Sequence, residues 1–295
     1  MSIVLLERCR SEHVSLAERT SMRVGGRARE FFLPNSAEEL GEICRRLFAE
    51  GKDPFFLGGG FNTLFPDGEY SRPVISTERL VGLSRPAENR IRAEAGVRWN
   101  VLIHKSIQAG LAGLEYFAGV PGTAGGLAAM NAGGSGRSFG DRIVRVEGFR
   151  LPEVEFLEIP GDRIPWGYRS SGLGRFAITA VELELTPSDP STIRRGAMDF
   201  LRYKASVQPL TIPSSGCIFR NPPGESAGTL IERAGLKGAR RGGAVVSRLH
   251  ANFIVNENSE ATASDVYALI EHVERRVRER FGVQLETEVI LPENV

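Results

Sequence analysis

Cysteine is scarce: 295 residues hold three, Cys9, Cys44 and Cys217, odd in number and far apart. That argues against a disulfide framework and fits a reducing compartment. The four histidines (His13, His104, His250, His272) are scattered, and no Cys/His spacing matches a zinc site. Charge of one sign is also missing. Thirty-seven basic residues stand against 36 acidic, a net charge of +1, which gives no bulk field for nucleic acid or an anionic membrane. No apolar run approaches the ~20 residues of a membrane helix. The opening MSIVLLERCRSEH is apolar too briefly, and charged too soon, for a secretory signal. A cytoplasmic chain with neither a nucleic-acid nor a membrane partner is expected. Several catalytic signatures are absent too: G-x-G-x-x-G after a strand, G-x-x-x-x-G-K-[ST], G-x-S-x-G and H-E-x-x-H. The usual dinucleotide crossover fold and a phosphate-loop NTPase are therefore not signalled.

What is present in excess is glycine, 34 residues against the roughly 20 that a usual ~7% gives. The glycines cluster between well-patterned elements. Ser36–Gly51 reads as an amphipathic helix capped by Ser36, with Leu40, Ile43, Cys44, Leu47 and Phe48 on one face. A strand at Phe55–Leu57 runs directly into Gly58, Gly59 and Gly60, a turn whose N–H groups can form an anion nest. Ile91–Val97 alternates as a strand, and Trp99–Gly110 reads as a helix with Val101, Leu102, Ile107 and Ala109 inward. Glu115–Asp141 holds eight glycines and reads as loop, short helix, loop around a ligand. Arg175–Leu185 ends in a strand with Val181, Leu183 and Leu185 on one face. The turn-rich Thr186–Ser191 is the expected domain boundary. Beyond it come a short helix at Ser226–Leu236, an apolar strand at Ala251–Val255 and a helix at Thr262–Gly282 with a Thr262/Asp265 capping box. A last strand is expected in VQLETEVIL.

Four features can carry chemistry, each beside a plainer reading. The clusters Gly58–Gly60 and Gly119–Gly126 suit a diphosphate held by backbone amides, or are two tight turns. Asn62 can donate to such a ligand or cap the next turn. Arg169, beside Tyr168, can hold a carboxylate bidentately, or is a surface arginine stacked on Trp166. Cys217, in PSSGCIFRNP, is a credible proton donor with a reference pKa near ~8.5, or a buried structural cysteine. Glu286 and Glu288 share a strand face, where one can be a buried carboxylate beside an arginine or both simply exposed.

Several motifs in fixed order give the chain a family resemblance. TSMRVGG, LGGGFNTL, AGVPGTAGGLAAMNAGG, WGYRSS, QPLTIPSSGCIFRNP, AGTLIERAGLKG, HANFIVN and LETEVIL run through nearly its whole length. Together they resemble the UDP-N-acetylenolpyruvoylglucosamine reductases (UDP-N-acetylmuramate dehydrogenases) of bacterial peptidoglycan synthesis. The resemblance implies an α+β fold: a two-part FAD-binding domain of the vanillyl-alcohol-oxidase (PCMH) type over 1–190, in subdomains of about 1–75 and 76–190, and a C-terminal α+β substrate-binding domain over 191–295. It implies non-covalent FAD at Gly58, Gly59, Gly60, Phe61 and Asn62 and at Pro121, Gly122, Thr123, Gly125 and Gly126. It implies NADPH as hydride donor and a UDP-sugar substrate contacted by Tyr168, Asn221 and His250. Arg169 and Glu288 would orient the enolpyruvyl carboxylate, and Cys217 would donate the proton. A monomer is expected. The chain departs from the family where Cys217 stands for a usual Ser, Arg19 for Asn and Phe61 for Ser, and it resembles the subclass lacking a long substrate-covering insertion. Another oxidoreductase on the same flavin fold, or a catalytically silent flavin- or nucleotide-sugar-binding protein, are the alternatives.

Overall fold

The structure, a computed structural model, describes residues 8–134 and 136–292. The elements come in chain order as β1 (Arg10–Ser15), β2 (Arg27–Phe32), α1 (Ala37–Ala49), β3 (Phe55–Leu57), β4 (Glu69–Tyr70) and β5 (Val74–Ser76). They continue as β6 (Leu83–Ala87), β7 (Arg90–Glu94), α2 (Trp99–Gln108), α3 (Ala124–Ala129), β8 (Ile143–Arg150), β9 (Glu155–Pro160) and β10 (Phe176–Glu184). The rest are α4 (Pro190–Val207), β11 (Ser214–Cys217), α5 (Ala227–Arg233), β12 (Arg240–Arg241), β13 (Ala244–Val246), β14 (Phe253–Asn256) and α6 (Ala263–Phe281). They form two compact, interleaved units. The first takes Glu30–Gly59 and Arg72–Tyr203 with the chain up to Glu12; the second takes His13–Arg29, Gly60–Ser71 and the chain from Lys204. Of Thr186–Ser191, where the sequence places a boundary, Thr186 and Pro187 pair antiparallel with Ala112 and Leu111, and Pro190 is already the first residue of α4, a position where a missing N–H is tolerated. The units part inside that helix.

In the first unit α1 forms as expected. Ser36 Oγ accepts the Glu39 N–H at 3.2 Å, and Gly51 leaves the helix at φ +71°. Leu40, Ile43, Cys44 and Leu47 are buried against Phe32, Ile75, Phe149 and Leu151. Strand β5 lies parallel between β3 and the Phe31–Phe32 end of β2. A second sheet is antiparallel in the order β9-β8-β10-β7-β6. Val146, Val181 and Ala93 align across its centre and pack into one core with Leu102, Ile103 and Ile107 of α2 and Leu127 of α3. Val101 departs from its expected inward position and is 41% exposed. Val181, Leu183 and Leu185 are buried in that same core, as expected of one strand face, and the other face of β10 is closed by charge pairs. Glu182 accepts from Arg90 at 3.1 Å and from Arg145 at 2.6 Å, and Glu147 on β8 pairs with Arg92 at 2.5 Å. Such carboxylates tolerate burial because they are paired.

In the second unit the antiparallel sheet runs β11-β14-β13-β12. Val266, Leu269, Ile270, Val273 and Val277 of α6 pack with Leu230 and Ile231 of α5, Ile254 of β14 and Leu285 in one core. The Thr262/Asp265 capping box is formed, and Asp67 caps the same helix from a distant loop by accepting the N–H groups of Ala263 and Ser264 at 3.0 and 2.8 Å. The expected final strand is not a ladder. Residues 283–291 touch neighbours through isolated bridges, Phe219↔Thr287 antiparallel and Thr63↔Ile290 parallel. Each of these bridges is a single residue pair, so no ladder forms on either side.

Candidate active site

In the first unit the two glycine turns meet. A Cβ added to Gly58 would lie 3.0 Å from Thr123 Oγ1 and 3.8 Å from Gly126 Cα. Thr123 is the N-cap of α3, and Gly122 is held at φ +151°. Among the described residues no hydrogen-bond partner is found for the N–H groups of Gly58, Gly59, Gly122 and Thr123. Gly126 N–H has only a long contact, 3.4 Å, to Thr123 Oγ1. Convergent, unpartnered amides at a crowded bend fit a diphosphate, so the residues present suit FAD. Not every glycine of the motif serves this purpose. Gly125 N–H is occupied by Ala95 O at 2.9 Å, and a Cβ there would lie 2.7 Å from that of Ala95; its glycine is a packing requirement. Pro121 is exposed.

The same unit presents Arg169 on a tight turn. Gly167 N–H donates to Ser170 O at 2.9 Å, and Ser170 N–H returns to Gly167 O at 3.3 Å. Arg169 sits at φ +55°, a conformation a non-glycine residue holds only under constraint. Its guanidinium lies 5.1 Å from the ring centroid of Tyr168. The suggested stacking partner Trp166 instead donates Nε1 to Gly161 O at 3.0 Å. Asn131, which sequence reasoning missed, fastens this turn to the glycine-rich loop: Nδ2 donates to Gly167 O and Oδ1 accepts Gly140 N–H, both at 2.9 Å.

In the second unit Cys217, Glu288 and Asn62 are brought together by backbone pairing. Glu288 N–H donates to Ile218 O at 2.7 Å, so Glu288 lies beside the strand that carries Cys217. Asn62 Nδ2 donates to Glu288 O at 3.0 Å, and Ile290 N–H donates to Asn62 O at 2.9 Å. The Asn62 side chain therefore ties down the C-terminal segment. Nearby, Ser21 joins two further segments, with its N–H on Gly60 O at 3.0 Å and Oγ on Ser214 O at 2.7 Å. Gly60, at φ +68°, leaves no room for a side chain, since a Cβ would meet Arg19 O at 2.0 Å. Phe61 is half-buried. Gly216 at φ +72° breaks the β11 register just before Cys217.

The three thiols are not equivalent. Cys9 and Cys44 are core residues, whereas Cys217 is half-buried. Burial, with Glu39 beside it, pushes the Cys9 thiol up to about 11, and burial pushes Cys44 up to about 12. Glu288 is half-buried and Glu286 exposed. Asn221 Oδ1 accepts the first N–H of α5, from Ala227, at 3.0 Å. Burial and, after it, the Lys237 charge hold the His250 imidazole below the ordinary histidine value. A neutral ring suits its Nδ1, which accepts Asn252 N–H at 3.3 Å. Asn252 itself imitates a strand partner for Phe219, accepting its N–H at 3.0 Å and donating to its carbonyl at 2.8 Å.

These features define a flavoprotein with a dedicated second domain. A family model described as an FAD binding domain matches residues 28–150, and one described as the C-terminal domain of UDP-N-acetylenolpyruvoylglucosamine reductase matches residues 208–291. The reductase of Synechococcus sp. (strain WH7803) is 38% identical over 98% of this chain and 95% of its own. That of Alkalilimnicola ehrlichii is 41% identical over 93% and 91%. The crystal structure of the Thermus caldophilus enzyme superimposes with a TM-score of 0.81 at 33% identity, covering 96% of this chain and 97% of the other. The chain belongs to the UDP-N-acetylenolpyruvoylglucosamine reductase family, FAD-dependent oxidoreductases of peptidoglycan synthesis.

Proposed function

We propose that this chain reduces the enolpyruvyl ether of UDP-N-acetylglucosamine enolpyruvate to UDP-N-acetylmuramate, with Cys217, Glu288 and Arg169 as its catalytic groups. FAD is held without a covalent bond by Gly58, Gly59, Gly60, Phe61, Asn62, Pro121, Gly122, Thr123 and Gly126, within the flavin-binding part at 1–190, while Gly125 packs the same turn against Ala95. Residues 191–295 take the UDP-sugar, and Tyr168, Asn221 and His250 are its contacts. The chemistry that FAD supplies when bound is hydride transfer from NADPH to the enolpyruvyl β-carbon. Reduction there builds negative charge at the α-carbon and into the carboxylate. Arg169 binds that carboxylate and stabilises the growing charge, and Glu288 orients it. The α-carbon then needs a proton, which Cys217 delivers from Sγ. The protein acts as a cytoplasmic monomer.

The observation that carries this reading is the 2.7 Å bond from Glu288 N–H to Ile218 O. It sets the residue after the Cys217 thiol and the residue that bears the Glu288 carboxylate on neighbouring backbones. The test is anaerobic. Purified protein should be yellow, release flavin on denaturation, bleach with NADPH and regain colour on addition of UDP-N-acetylglucosamine enolpyruvate. A protein that bleaches but is not reoxidised by that substrate would leave another flavin oxidoreductase, and one that never bleaches would leave a silent binding protein. Among the described residues no helix is long and apolar enough to cross a membrane, and no group of His, Cys, Asp and Glu is placed to hold a metal ion.

A further inference from the structure

Two buried side-chain polar atoms without a hydrogen-bond partner among the described residues flank Cys217 in one segment: Ser215 Oγ and Arg220 Nε. Arg220 is the more telling. Its backbone is fixed, with N–H on Glu286 O at 2.9 Å. Its guanidinium, however, faces no carboxylate within ion-pair distance among the described residues. Half-buried arginines of the other unit do meet carboxylates: Arg92 reaches Glu147 at 2.5 Å, and Arg145, whose Nε is likewise buried without a partner, reaches Glu182 at 2.6 Å through its terminal nitrogen. A guanidinium partly withdrawn from water and left without an anion is costly, and a ligand anion is the natural partner for its fork of donors. The geometry points to Arg220 as the seat of a diphosphate, that of the nucleotide-sugar substrate. This rests on the function proposed above and adds a residue to it. Cys217 lies three residues upstream, across a bend at Ile218, and a sugar that presents its enolpyruvyl group to Cys217 carries its diphosphate at the anomeric end.

FAD and NADPH also carry diphosphates, so the test has three arms on the FAD-loaded protein: UDP affinity by calorimetry, flavin retention on dilution, and KM for NADPH. Arg220→Met and Arg220→Lys are compared with wild type. Expected for Arg220→Met is a UDP Kd raised roughly 10- to 100-fold, the range of a charge-assisted hydrogen bond, with Arg220→Lys in between. Flavin retention and the NADPH KM stay unchanged. The nucleotide-free Arg220→Met protein melts no lower than wild type, because an unpartnered buried charge has been replaced by an apolar chain of similar length. A purely structural arginine would give the opposite: a lowered melting temperature and an unchanged UDP Kd. That result overturns the assignment, as does loss of flavin or a raised NADPH KM with UDP affinity intact. Wild-type protein that fails to bind UDP at all overturns the functional reading and this assignment together, whereas equal UDP binding by wild type and both variants overturns only the role of Arg220.

Discussion

Asn62 and Glu288 are joined across 226 positions of sequence by a single bond, Asn62 Nδ2 to Glu288 O at 3.0 Å. On its other side Glu288 donates its N–H to Ile218 O, so the backbone that presents its carboxylate is gripped from two directions. Asn62→Ala removes one grip. The expected loss of stability is about 1 kcal/mol, the net worth of one such bond, read from urea unfolding. The expected loss in kcat/KM is larger, more than ~10-fold, because sub-ångström placement of a reacting group governs rate more steeply than stability. A variant with normal kcat/KM and lowered stability would show that the tether is structural only.

Cys217→Ser keeps a proton on the same atom position and retains substantial turnover. Cys217→Ala removes it and loses most turnover, by roughly 10²- to 10⁴-fold, the usual share of general acid catalysis. The measurement is single-turnover reoxidation of the reduced enzyme by substrate. Equal rates for Cys217→Ala and wild type would remove Cys217 from the mechanism. Thiol reagents provide a control. Cys9 and Cys44 are buried with thiols pushed up to about 11 and about 12, so stoichiometric alkylation at pH 8 should modify Cys217 alone.

Asp67 links stability to pH. Burial works to raise its carboxyl, but the Ser264 N–H and hydroxyl and the Ala263 N–H outweigh burial and hold it below the ordinary aspartate value. A carboxyl lower in the folded chain than in the unfolded one stabilises fully above the unfolded value, near ~3.9, and loses that contribution as pH falls through the folded value. The helix start then loses an acceptor for two N–H groups. Asp67→Ala should lower stability by about 1 kcal/mol at pH 7, as a lost N-terminal cap does. The gap between variant and wild type should begin to narrow as pH falls below about 4. A gap that does not shrink at all between pH 7 and pH 3 would show that the carboxylate charge is not what matters.

The periodic elements were legible in the sequence because their signals are local. Helix α6 announces itself through Thr262, Asp265 and an apolar stripe at helical spacing, and α1 through Ser36 and Gly51. The glycine turns and the segment around Cys217 were legible as places where ordinary packing does not explain the composition. What escaped was side-chain-to-backbone bonding over long separations. Nothing in HANF indicates that Asn252 completes the pairing of Phe219, 33 positions away, and nothing in LFPDG indicates that Asp67 caps a helix 196 positions on. Val101 was misassigned because a ten-residue helix with a wide apolar stripe tolerates one exposed valine, and periodicity cannot say which. The tail alternates like a strand, yet the partners on its two sides run in opposite senses, which no single-segment pattern encodes.

Asn131 offers the sharpest separation of placement from stability. It is 6% exposed and held at φ +40°, and it clamps Gly140 N–H and Gly167 O at once. The second contact closes the turn in which Arg169 is kept at φ +55°. Asn131→Ala loses both bonds and places an alanine in the left-handed region, so the expected destabilisation is about 2–4 kcal/mol. Asn131→Gly loses the same bonds but accepts the backbone angle without strain, which returns about 1 kcal/mol of that. If the clamp positions Arg169, the two variants should differ in urea midpoint but share the same defect in catalysis: a raised KM for the enolpyruvyl substrate, a lowered kcat and normal bleaching by NADPH, because the flavin turns at Gly58 and Gly122 are untouched. Wild-type kcat and KM in the Asn131→Gly enzyme would show that Arg169 keeps its conformation without Asn131.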